Sequence, residues 1–91
     1  MIKTSSFEKD LKERLKSPTF KKAYDDERRI ITLATEIAES REHAGMSQRE
    51  LAAKSGISQQ QVSRVESGAN CNLLTFVRLT SALGLKVRLS A

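Results

Sequence analysis

The sequence predicts an all-α fold: a small helical bundle, with an amphipathic helical extension before it and one short strand after it. Three observations carry this expectation. Apolar residues recur at three- and four-residue spacing through most of the chain, each of the four glycines stands where such a stretch stops, and the period falls to two only beyond Gly84. With 91 residues, 38% of them hydrophobic and 30% charged, there is room for one modest core and a short extension.

The extension comes first and spans residues 1–24. Phe7, Leu11 and Leu15 repeat every four residues among Lys9, Lys12, Glu13, Arg14 and Lys16, the pattern of an amphipathic helix. Ser17 and Pro18 suit an N-cap and a first helical position, so a break is expected there, with a restart through Phe20 and Tyr24. The bundle itself is assigned to residues 25–84. Its first helix is expected from near Asp26 to Gly45, with Ile30, Leu33, Ala34, Ile37, Ala38 and Ala44 near one stripe. Asp25 and Asp26 would then favour that helix's N-terminus. Two short helices ending at Gly56 and Gly68 follow, and a fourth carries Leu73, Phe76, Val77, Leu79 and Leu83 up to Gly84.

Residues 85–91 read as a strand, because Leu85, Val87 and Leu89 alternate with Lys86, Arg88 and Ser90. A lone strand has unpaired donors and acceptors along both edges. The most economical partner is the same strand of a second copy, which makes a homodimer the expected state, the alternative being a strand that folds back on its own chain.

The two short helices have the best-specified starts. In Met46-Ser47-Gln48-Arg49-Glu50-Leu51, Ser47 can accept from the Glu50 amide while the Glu50 side chain reaches back to Ser47, a capping box, with Met46 and Leu51 as a hydrophobic staple. The same design recurs eleven residues later, with Ser58 as cap, Gln61 as reciprocal partner, and Ile57 and Val62 as staple. Between them, Ala52 is small enough for close helix crossing, and Gly56 permits a sharp reversal. A helix, a tight turn and a second helix result.

On the second short helix Val62 and Val65 face inward, so a 100° step per residue turns Gln60, Ser63, Arg64 and Ser67 outward, with Gln59 beside them. A solvated helix more often carries Glu and Lys on such a face. Here it offers amides, hydroxyls and a guanidinium, with Glu66 the only acid. Gln can pair bidentately with adenine and Arg with guanine in the major groove, so the face suits double-stranded DNA. The net charge of +5 favours a polyanionic partner.

The stretch SQRELAAKSGISQQQVSRVESG, continued by LLTFVRLTSALGL, resembles the lambda-repressor-like, or Xre, helix-turn-helix family. That resemblance implies a lambda-repressor-like helix-turn-helix bundle in which Gln59, Gln60, Ser63 and Arg64 read bases. It also implies that Gln48, at a helix N-terminus, clamps a phosphate. Ser47, Lys54, Ser58 and Asn70 are further phosphate candidates. Arg41 and Glu66 match a structural ion pair of some members. Cys71 is expected to be a small packing residue rather than a redox switch. The family often carries more basic residues before its fourth helix, where this chain has Ala69-Asn70-Cys71-Asn72.

The whole chain, including SPTFKKAYDDERRIITLATEIAESREHAG, is similar to HigA-type antitoxins, which pair with toxins of the HigB/RelE kind. This likeness implies an antitoxin that neutralises a RelE-like ribonuclease toxin and autoregulates its operon through a palindromic operator. Phe7, Leu11, Leu15, Phe20 and Tyr24 would be its toxin-binding residues, while Leu85, Val87 and Leu89 are the dimerisation residues expected from the unpaired strand. The alternative is a standalone Xre-family repressor without a toxin partner, the extension serving plain packing.

An enzyme is not expected. The only histidine, His43, has no matched nucleophile, and there is no glycine-rich phosphate loop or carboxylate pair that would hold a cofactor or metal. The single cysteine excludes an internal disulfide and, with no histidine at metal-ligand spacing, a zinc site. Without a signal-like N-terminus or an eighteen-residue apolar run, the expected setting is the cytoplasm, away from membranes.

Overall fold

The computed structural model describes residues 4–90. Five helices occur among them: α1 (Thr4–Leu15), α2 (Pro18–His43), α3 (Gln48–Ser55), α4 (Gln59–Glu66) and α5 (Leu73–Ala82). The chain divides into two compact units, Met1–Ile30 and Ile31–Ala91, the division falling within α2.

In the first unit α1 stops at Leu15 and α2 starts at Pro18, as the Ser17-Pro18 pair predicts. The Ser17 carbonyl accepts the Lys21 N–H at 2.9 Å and its hydroxyl accepts the Phe20 N–H at 3.5 Å. Leu11, Leu15, Phe20 and Tyr24 are half-buried, while Phe7 is 72% exposed. Phe20 and Tyr24, one turn apart, stack with centroids 6.4 Å apart, and the Arg14 and Arg28 guanidiniums lie over their rings.

One correction concerns α2. The sequence reading separates a restart at Pro18 from a new helix near Asp26, but a single helix of 26 residues runs through both. No glycine or proline interrupts the chain between Thr19 and Ala44, so nothing stops the helix once Ser17 and Pro18 have started it. Asp25 and Asp26 therefore lie inside a helix rather than at its N-terminus, and Asp26 pairs with Arg29 at 3.6 Å.

The second unit holds the core. Ile37 from α2, Leu51 and Ala52 from α3, Ile57 from the turn, Val62 and Val65 from α4, and Leu79 from α5 form one buried cluster. Met46, Phe76, Ala82 and Leu83 pack against it. The residues of both staples enter this core: Leu51 and Val62 are fully buried, Ile57 belongs to the cluster and Met46 packs against it. Buried Ser55 and Thr80 return their hydroxyls to carbonyls of their own helices, Leu51 O at 2.7 Å and Phe76 O at 3.0 Å, so the core leaves no buried side-chain polar atom unpaired among the described residues.

The C-terminal strand is the second correction. Leu85 N–H donates to Thr80 O at 2.8 Å and completes the end of α5, after which residues 85–90 adopt no regular structure. A strand exists only where another backbone completes its ladder, and no described segment does so here. Leu85, Val87 and Leu89 remain 37%, 56% and 98% exposed. Their alternation marks an uncovered face, not one buried within this chain.

Candidate nucleic-acid interface

Two capping boxes set the register of the interface. Ser47 Oγ accepts the Glu50 N–H at 3.0 Å, and Glu50 Oε1 accepts the Ser47 N–H at 3.1 Å. Hydrogen bonding to the carboxylate, from the Ser47 backbone first and its side chain second, holds the Glu50 carboxyl below the usual glutamate range. Ser58 Oγ accepts the Gln61 N–H at 3.1 Å, with the reciprocal bond from Ser58 N–H to Gln61 Oε1 at 3.4 Å. Between the two helices Gly56 sits at φ +75°, and its N–H and that of Ile57 both donate to Ala52 O, at 3.0 and 3.1 Å. This left-handed residue turns α3 into α4 within three residues.

With Val62 and Val65 held in the core, α4 turns Gln59, Gln60, Ser63, Arg64 and Ser67 to the surface, as the sequence predicts. None of the first four side chains makes a hydrogen bond or ion pair among the described residues. An α-helix with its side chains is about 10–12 Å across, and a major groove about 12 Å wide admits such a rod. The face is therefore exposed, uncommitted and of suitable size.

Behind that face lies an ion pair. The Arg41 Nε–H donates to Glu66 Oε2 at 2.7 Å and Nη2–H to Oε1 at 3.1 Å, while Nη1–H donates to the Met46 carbonyl at 2.7 Å. Both side chains are largely withdrawn from solvent, at 12% and 7% exposed. The bond to Glu66 raises the Arg41 pKa above its already high ordinary value. Sequence resemblance anticipates this pair and the structure contains it. A third member was not anticipated: Gln48 Nε2–H donates to the same Glu66 Oε1 at 3.1 Å. The end of α2, the start of α3 and the end of α4 thus meet on one carboxylate.

The other expected phosphate ligands occupy several settings. Lys54, at the end of α3, and Asn70, before α5, are exposed. The Ser47 and Ser58 hydroxyls already accept cap bonds, and that of Ser58 also faces Gln61 Oε1 at 3.4 Å. Cys71 is exposed and free, which corrects its expected packing role, because the loop holding it lies outside the core. Asn72, read only as loop, is the cap of α5, with Oδ1 accepting the Thr75 N–H at 2.8 Å. An asparagine directly before an apolar helical run was the available signal.

A fold in which two short capped helices cross about a glycine turn, the second offering an exposed polar face, defines a helix-turn-helix DNA-binding domain. Residues 37–89 match the helix-turn-helix family, and the chain belongs to that family of DNA-binding regulators. No curated protein sequence matches it. No helix among the described residues is long and apolar enough to cross a membrane.

Proposed function

We propose that the chain is a sequence-specific repressor that acts as a cytoplasmic homodimer on a palindromic operator, by binding alone, without catalysis or a cofactor. The observation that carries this reading is the face of α4, where Gln59, Gln60, Ser63 and Arg64 are exposed and uncommitted. Gln60 and Arg64 supply the two side-chain types that pair bidentately with adenine and guanine, and Gln59 and Ser63 flank them. Gln48, Ser47, Lys54, Ser58 and Asn70 contact phosphates and hold the domain in register.

Mobility-shift assays with a selected operator and a scrambled duplex test the assignment. Gln60→Ala and Arg64→Ala should each weaken operator binding by about 1–3 kcal/mol and leave scrambled-duplex binding close to the parent's. Operator affinity equal to the parent's would remove these residues from the reading surface.

A second reading is favoured by one observation. The unit Met1–Ile30 is compact on its own and leaves Phe7 72% exposed, more surface than a DNA-reading module needs. In this reading the protein is an antitoxin whose segment from Phe7 through Leu11, Leu15, Phe20 and Tyr24 docks on a RelE-like ribonuclease toxin, with DNA binding serving autoregulation. Co-purification with the neighbouring gene's product tests it: removal of residues 1–24 should abolish capture while operator binding persists. Undiminished capture would exclude that segment as the docking surface.

A further inference from the structure

We infer that Glu66 is a positioning residue for DNA-backbone contact: its Oε1 holds the Gln48 amide in place for a phosphate, while Arg41 cancels the charge that would otherwise repel that phosphate. The inference rests on the proposed role of Gln48 at the DNA backbone and adds the means by which the fold prepares it. Its observation is the shared oxygen, Glu66 Oε1, which accepts from Arg41 Nη2 and from Gln48 Nε2, both at 3.1 Å.

A glutamine at the first position of a surface helix ordinarily samples many rotamers, and a ligand must freeze them at a cost in affinity. Gln48 is half-buried, and one of its two Nε2–H groups is already spent on Glu66. The second N–H remains for a phosphate oxygen, and its direction follows from the first because the amide is planar. Glu66 in turn is fixed by the two-pronged Arg41 contact, and Arg41 by the Met46 carbonyl at the entry to α3.

Charge compensation decides whether this arrangement helps or hinders. A carboxylate one hydrogen bond behind a phosphate ligand would oppose the incoming anion. The guanidinium bonded to both carboxylate oxygens neutralises it. The pair is therefore more than an internal brace of α4.

Two measurements test this. In the free, unaltered protein, side-chain ¹⁵N relaxation should show the Gln48 amide markedly more restricted than those of Gln59 and Gln60, which serve as exposed references within the same molecule. Equal mobility of the three would overturn the inference without any variant having to fold.

The second is a cycle on duplex affinity. Gln48→Ala should cost the parent roughly tenfold, the worth of one hydrogen bond to a charged group. In the Arg41→Met/Glu66→Met background, which replaces the pair by apolar side chains of similar length, the same change should cost less than about threefold. Equal losses in the two backgrounds, in a parent that binds duplex, would overturn this inference alone. A parent that binds no duplex would overturn the DNA-binding reading and this inference with it.

Discussion

Glu50 and Gln61 occupy the same position in two consecutive capping boxes, yet only one of them can titrate. The Glu50 carboxyl is held below its ordinary value by hydrogen bonding to Ser47, the backbone first and the side chain second. Its contribution to stability is therefore fully present above the unfolded value and is lost as the pH falls through the lower, folded one. Thermal melts between pH 7 and pH 3 should show a steeper acid-side loss for the parent than for Glu50→Gln, which copies the box of α4. Identical acid profiles would mean that the box does not report this proton. At this scale the sequence was informative wherever partners lie three or four residues apart, as in both boxes and the α4 face. The Gln48–Glu66 bond joins residues 18 apart, and it depends on how α3 and α4 cross, which no local period encodes.

Between residues and molecule, the elements are delimited by stop signals more than by propensity. All four glycines adopt positive φ, as their places at helix ends predict, and Gly56 carries the turn on which the α3 to α4 geometry depends. A Cβ at Gly56 would meet nothing within 4 Å, so the cost of Gly56→Ala comes from the left-handed backbone alone. Chemical denaturation should place that cost at about 1–2 kcal/mol, with Gly56→Asn milder because asparagine tolerates this region better. A Gly56→Ala protein as stable as the parent would show that the turn can relax elsewhere. A missing stop signal likewise accounts for the helix boundary that the local pattern suggests near Asp26 but the fold lacks. Asp25 and Asp26 resemble a helix start, but a start also needs a stop before it, and between Pro18 and Ala44 there is none.

For the whole molecule, the tail bears on the proposed homodimer. A period of two was legible in residues 85–90, but a strand is a relation between two backbones, and one sequence supplies only half of it. Val87 and Leu89 remain exposed, and so do Leu73, Leu74 and Val77 on the outer side of α5. Uncovered apolar surface of this kind is characteristic of an association site. If two tails pair as antiparallel strands, their ladders need backbone N–H groups, and proline removes one. Val87→Pro should therefore shift sedimentation from dimer towards monomer, while Val87→Thr, which keeps the N–H and the branched shape, should shift it less. The same change bears on DNA, because two reading helices about 34 Å apart match successive turns of a palindrome and a monomer engages only one half-site. Val87→Pro should lose affinity for the full palindrome but keep its affinity for an isolated half-site. A parent that sediments as a monomer at about 100 μM, a concentration far above that of any specific complex of nanomolar to micromolar affinity, would rule out tail pairing and leave each domain to read its half-site alone.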